Sequence, residues 1–508
     1  MLSYMQSILI FLPPSCIFLY FLYTKFSHPS STPPQNQPPS PPRRPIIGNL
    51  HQLGASPHRA LQSLSNRHGP VMLMHLGRVE TLIISSANAA REAMKTHDLV
   101  FSSRPFQSIT HKLLYGSKDI AFTPYGEYWR KVRSIGVLHL MSSHRVQLCR
   151  NVREEETSLL VQKIAQSCSS GPINLTDLFV LLMSDVICRV ALGRKYSEEE
   201  NWKSLEALLR DFMNLLGAYN IGDYIPWLAW MNKFNGLDAR VEKVVKNMDD
   251  FLEVVVKEHK ISKKFETENG LDFVDILLKI QRETDPTVDD ETIKALILDM
   301  FSAGTDTAHT VLEWAMSELI KNPKKMERLQ IEVRKFAKGN TECINEDDLT
   351  KMGYLKAVIK ETLRLHAPVP LLIPRETTQD VKFMGYDIKS GTRVLVNAWA
   401  IGRDESLWDN AEDFEPERFV DDNNNNNNSI DFKGFDFELI PFGAGRRGCP
   451  GMSFAIAITE LALAKLVHKF DFSLPDGLRG EDLDMTEAVA IIVHKSSPLI
   501  VDAITYNG

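Results

Sequence analysis

A chain of 508 residues with 44% hydrophobic and 24% charged side chains has ordinary globular composition and ample length for a large core, in one domain or two. Its net charge of -7 argues against a nucleic-acid partner, because binding to phosphates draws on clustered Lys and Arg. The six cysteines, Cys16, Cys149, Cys168, Cys188, Cys343 and Cys449, are scattered without a Cys-x-x-Cys pair; this excludes a small secreted disulfide framework and suits reduced thiols facing a cytosol.

The first 24 residues carry no charged side chain, and residues 8–23 are rich in Leu, Ile, Phe and Tyr. About 20 mostly apolar residues span a bilayer, so residues 1–25 are expected to form a single membrane anchor, kinked at Pro13 and Pro14. A cleaved signal peptide would show a basic leading segment and a small-residue cleavage site, and neither is visible. Lys25, Arg43 and Arg44 all follow the apolar run. The positive-inside rule therefore leaves the body cytosolic, with the endoplasmic reticulum as the expected membrane. Residues 26–48 are rich in proline and read as a stiff hinge, and residues 49–508 as the folded domain behind it.

Strand signals are few. Residues 71–76 and 81–85 flank a Gly77-Arg78 turn, and residues 383–388 and 393–398 flank Ser390-Gly391. Helical periodicity dominates the rest, at 152–167, 178–193, 239–260, 288–321, 324–336, 353–366 and 452–470. The expected fold is mainly α with small β-sheets. The run Asn423–Asn428 reads as a solvated low-complexity loop. The stretch 288–321 would make a helix of about 50 Å, long enough to cross a whole domain. Its middle is nevertheless polar: Ala303-Gly304-Thr305-Asp306-Thr307 places an acid and two hydroxyls where burial needs a chemical purpose.

The most specific segment is Phe442-Gly443-Ala444-Gly445-Arg446-Arg447-Gly448-Cys449-Pro450-Gly451, followed at once by a helix near Met452. Its glycines let backbone approach a flat group and aim amides at the sulfur, and the helix N-terminus favours thiolate over thiol. A thiolate held in this way is a ligand for haem iron. The segment resembles the haem-binding loop of the cytochrome P-450 superfamily, Phe-x-x-Gly-x-Arg-x-Cys-x-Gly, at every specified position. Anchor, hinge and motif order look like the plant microsomal type of specialised metabolism.

That resemblance implies roles for further residues. Cys449 would be the axial ligand of haem b, with Phe442 and Gly443 against the ring. Glu361 and Arg364, with Arg418 of Pro416-Glu417-Arg418-Phe419, would form a buried structural triad. Ala303 and Gly304 would open a groove for dioxygen, while Asp306 and Thr307 relay protons. Trp129, Arg133, Arg447 and Arg375 would bind the two haem carboxylates. With no flavin or nicotinamide motif in the chain, electrons from NADPH would come through a separate reductase, docking near the basic residues Arg130, Lys131, Arg145 and Arg446.

Pocket segments carried over from the family are 106–122, 211–219, 296–305, 367–373 and 488–492, mostly apolar, with Val369, Leu371, Leu372, Ala303 and Val489 as examples and Thr305 or Ser302 as a polar handle. They suit a small hydrophobic terpenoid, alkaloid or phenolic such as a coumarin, hydroxylated, desaturated or cyclised with dioxygen. Two alternatives stand beside this reading: a haem-thiolate isomerase or dehydratase that needs no dioxygen, and a non-enzymatic haem sensor.

Overall fold

The computed structural model describes residues 36–506 except 170, 200–201, 263–269, 284–287, 337–343 and 421–429. The expected anchor, the first part of the hinge and the asparagine run lie outside the described residues. No helix among the described residues is long and apolar enough to cross a membrane. The chain is already held to the body at Pro39, whose carbonyl accepts from the Leu73 amide at 2.9 Å.

Asp290–Lys321 forms one unbroken helix of 32 residues, about 48 Å long at the standard rise. Asp289 caps its start by accepting from the Thr292 amide at 2.8 Å, and Pro323 opens the next helix just beyond its end. Most of its side chains are buried, since it runs through the largest apolar core and packs on the Leu175–Leu192, Gly353–Leu365 and Met452–Lys469 helices. Each fully buried aliphatic side chain there is worth roughly 1.5–3 kcal/mol.

The helices at Arg150–Ser167, Leu237–Ser262 and Pro323–Phe336 match the sequence periodicity to within two residues at each end. Pattern reading missed Pro57–His68, Trp202–Leu216 and Phe273–Glu283.

Four strands form the largest sheet, in the order Val71–Leu76, Val79–Ile84, Arg393–Val396, Arg375–Glu376. Val79–Ile84 runs parallel to Arg393–Val396, and the other two pairings are antiparallel. This corrects the expected hairpin around Ser390-Gly391. Residues 383–388 instead fold on themselves, Val381–Phe383 pairing with Tyr386–Ile388 across Met384-Gly385, where both residues take positive φ. Of the cysteines, Cys149, Cys168, Cys188 and Cys449 are described, and all four are free.

Candidate active site

The Cys449 loop is built by backbone. The Cys449 amide donates to Phe442 O at 2.9 Å and closes the loop, and Gly445, at φ +67, passes so close to the Glu92–Thr96 turn that a Cβ would lie 2.3 Å from Met94 O. Only glycine fits that approach. Met452–Lys469 starts directly after the loop, and Cys449 opens onto an internal cavity whose opposite wall is the middle of the central helix. Burial pushes the Cys449 thiol up, against the pull of the Gly451 and Met452 amides and the Arg133 charge. The loop thus needs a cation at the sulfur to hold a thiolate, which is what an iron centre supplies.

Ala303, Gly304 and Thr307 face the cavity, one helical turn apart. A side chain at Gly304 would also strike Ile187 Cδ1 at 2.5 Å, so this glycine serves the packing of the Leu175–Leu192 helix as well. The Thr307 hydroxyl donates back to Ala303 O. Asp306 lies on the adjoining face, outside the cavity lining, with an oxygen 4.0 Å from His309 Nδ1. Desolvation pushes its carboxyl up to about 6, against the attraction of Arg210.

Four guanidiniums crowd one edge of the cavity: Arg104, Arg133, Arg375 and Arg447. Arg447 donates to Ser102 O, Ile120 O and Thr123 O at 2.7, 3.2 and 2.7 Å, its guanidinium 3.9 Å from the centre of the Trp129 ring. Arg133 donates to Gly448 O at 2.5 Å, and Arg375 to Ala444 O at 2.9 Å. The Trp129 indole N–H donates to Ile120 O at 3.1 Å. Arg104, which sequence reasoning missed, donates to Ala121 O, Ile373 O and Pro374 O at 2.7, 2.7 and 2.9 Å. None of the four donates a hydrogen bond to a carboxylate among the described residues; the nearest pairing is Asp98, 4.0 Å from Arg375 and shared with Arg446. Burial, and then mutual repulsion, lowers the basicity of Arg104 and Arg447, the latter to about 9. Arginine keeps its proton even so. The crowding is stored as repulsion that an anion relieves.

Around Glu361 the charges are matched. Arg364 grips Glu361 with two bonds of 2.7 and 2.8 Å, Arg418 adds a third at 3.1 Å, and Arg364 also donates to Gly402 O, Ala411 O and Asp413 O. Glu361 and Arg364 are fully buried.

The cavity wall is mainly apolar, with Leu296, Met300, Val369 and Leu372 from the expected segments and Ile187 and Phe273 from segments not foreseen. Residues 211–219 and 488–492 do not line it, nor do Leu371, Ser302 or Thr305; Leu371 packs instead against the cluster around Leu61 and Met72. The acid on this wall is Asp299, one turn before Ala303. It accepts from the Ile120 amide at 2.6 Å, and burial, then neighbouring Asp119, raises its carboxyl well above the ordinary range.

These features fit haem b. The four guanidiniums offer charge to two carboxylates, the Cys449 sulfur offers a soft ligand, and Gly443, where a Cβ would meet nothing closer than 3.8 Å, leaves room beside the loop for a flat ring.

Comparison with known proteins agrees. The family model described as cytochrome P450 matches residues 38–501. The chain is similar to cytochrome P450 71A6 of Nepeta racemosa, 56% identical over 95% of this chain and 96% of that protein. It is 51% identical to norfluorocurarine oxidase of a Strychnos species, over 97% of each chain. The (+)-menthofuran synthase of Mentha piperita is also 51% identical, over 98% of this chain and 99% of its own. A solved zebra fish cytochrome P450 with abiraterone superposes with a TM-score of 0.74 at 25% identity, covering 90% of this chain and 100% of that one.

Proposed function

The chain belongs to the cytochrome P450 family of oxidoreductase monooxygenases, and we propose that it oxidises a small hydrophobic plant metabolite, a terpenoid, alkaloid or phenolic, with electrons from NADPH through a separate reductase. The observation that carries this reading is the apolar cavity that closes on Cys449, edged by four guanidiniums that donate no hydrogen bond to a carboxylate among the described residues.

Haem b bound at Cys449 supplies dioxygen activation. Arg104, Arg133, Arg375 and Arg447 would hold its carboxylates, with Trp129 bracing Arg447 and Phe442 and Gly443 beside the ring. Ala303 and Gly304 leave the cavity wall of the central helix short of side chain, and the Thr307 hydroxyl lies beside them on that wall. Asp306, held near 6, exchanges protons at neutral pH and can pass one toward Thr307 through water. Leu296, Val369, Leu372 and Phe273 exclude bulk water and select substrate by shape. The named activities of the mint and Strychnos relatives are consistent with a small organic substrate.

Residues 1–25, proposed as a membrane anchor, would put the enzyme on the endoplasmic reticulum membrane with its catalytic body in the cytosol. Exposed Trp230 and Phe234, in edge-to-face contact at 5.6 Å, support a membrane-facing surface on that body. Exposed Arg130 and Lys131, on the helix whose Arg133 reaches Gly448, support reductase docking on the cysteine side.

The test is a Soret titration of the full-length protein with terpenoids, alkaloids and phenolics, followed by turnover with reductase. A spectral shift for one class, and product formed only with both NADPH and dioxygen, is the expected result. Product without either favours isomerase or dehydratase chemistry, and folded protein that takes up no haem overturns the reading.

A further inference from the structure

Away from the cavity floor, three side chains with metal-ligating atoms converge where two helices meet. His259 lies in the last turn of Leu237–Ser262, Asp272 immediately precedes Phe273–Glu283, and Asp275 sits in that helix's first turn. One ligand atom from each lies within 4.8 Å of the others.

Part of this geometry is ordinary helix capping. The Asp275 amide donates to Asp272 Oδ1 at 2.9 Å, and the Asp272 amide donates to Asp275 Oδ2 at 3.4 Å. Capping leaves two things unexplained. Asp275 is completely buried, yet its Oδ1 has no hydrogen-bond partner. Nor does any lysine or arginine pair with either carboxylate among the described residues; the cation within reach is His259, whose Nε2 is 3.1 Å from Asp272 Oδ2. Two buried acids share this pocket with one histidine, and buried charge demands compensation.

The histidine is oriented as a metal ligand would be. Its Nδ1 lies 2.8 Å from Val255 O, so the Nδ1 proton is engaged by backbone and Nε2 is the ring nitrogen turned toward Asp272. This is the outer-shell arrangement that fixes ligating imidazoles elsewhere. Gly193, at the end of the Leu175–Leu192 helix, closes one side: a Cβ there would stand 2.6 Å from Asp272 Oδ2.

We propose that His259, Asp272 and Asp275 bind one divalent cation of the zinc class, with water completing its coordination. One imidazole nitrogen and two carboxylate oxygens suit zinc or manganese, and a doubly charged ion neutralises both carboxylates. The ion would fasten the end of one helix to the start of the next. Phe273, beside Asp272, lines the cavity, so occupancy stiffens one wall of the substrate space. The inference is independent of the haem reading.

The experiment uses full-length holoenzyme stripped with a chelator and dialysed against zinc, with zinc and haem counted separately. Wild type should take up one zinc per haem, and the midpoint of thermal unfolding should rise by about 2 °C or more. His259→Gln and Asp275→Asn should each weaken binding by about 100-fold, as loss of one of three ligands implies. Zinc-edge X-ray absorption of wild type guards against a variant that fails to fold: a shell of oxygen and nitrogen with one imidazole is expected. An imidazole-free shell, or zinc uptake unchanged in the His259→Gln, Asp275→Asn double variant, overturns the site and leaves a capping pair with an ion-paired histidine.

Discussion

Around Glu361 every buried charge is answered: its carboxylate takes two bonds from Arg364 and one from Arg418, and the remaining Arg364 donors go to carbonyls. Along the cavity edge, by contrast, Arg104, Arg133, Arg375 and Arg447 reach carbonyl oxygens and repel one another. Both groups are arginine-rich and largely buried. The first is complete within the chain, as a structural role requires; the second takes no hydrogen bond to a carboxylate among the described residues, as the proposed haem site requires. Asp306 is the opposite-sign counterpart of the second group, a half-buried acid that no described side chain bonds through its carboxylate.

The largest effect should come from breaking the complete cluster. Glu361→Gln leaves Arg364 buried without its counter-charge, at a cost of roughly 3–5 kcal/mol, a large share of the ordinary stability of a domain. Urea unfolding should show the free energy of unfolding falling by that amount, with loss of haem as a consequence.

Next comes Asp306→Asn. Proton transfer by a positioned acid is worth about 100-fold or more, so turnover should fall by that order while haem content holds. Stability should move the other way. The folded-state value of about 6 lies above the ordinary 3.8, so the fold resists ionisation of Asp306. That cost is absent below pH 3.8, grows as pH rises, and is complete above 6, where it amounts to roughly 2–3 kcal/mol. The amide never ionises, so the variant should gain on wild type as pH rises from 4 to 7, measured by thermal unfolding across that range.

Arg133→Met sharpens the comparison from the cavity side. It should weaken haem binding by about 10- to 100-fold, the value of one charge-assisted contact, while shifting apoprotein unfolding by less than about 1 kcal/mol. Arg133→Lys should recover part of the affinity but not its two-pronged geometry.

The smallest effect is expected at Asp299→Asn. Burial, then Asp119, raises its carboxyl well above the ordinary range, and an amide oxygen can still accept from the Ile120 amide, so stability should change by no more than about 0.5 kcal/mol.

Much of this was legible in the sequence. Long helices showed because their apolar period repeats many times between clear stops, as in Asp290–Lys321 between Asp289 and Pro323. The cysteine loop showed because its glycines are spaced by chemistry rather than by fold. Short strands did not. The turn at Met384-Gly385 begins with a methionine at positive φ, which no turn preference flags, and the parallel pairing of Val79–Ile84 with Arg393–Val396 joins segments some 300 residues apart. Arg104 was missed because Ser103-Arg104-Pro105 reads as a surface loop, whereas its guanidinium is drawn inward to three carbonyls. Asp299 could have been found: it lies four residues before Ala303, on the face already assigned to the cavity, as Thr305 does not.

The central claim is that the cavity-edge arginines are reserved for the carboxylates of a haem seated on Cys449. Titrating the wild-type apoprotein with haem and with its dimethyl ester, in which both carboxylates are masked, tests this most directly. The account predicts binding of the ester at least about 100-fold weaker, the worth of two charge-assisted contacts at a buried edge. Equal affinity for the two would contradict it.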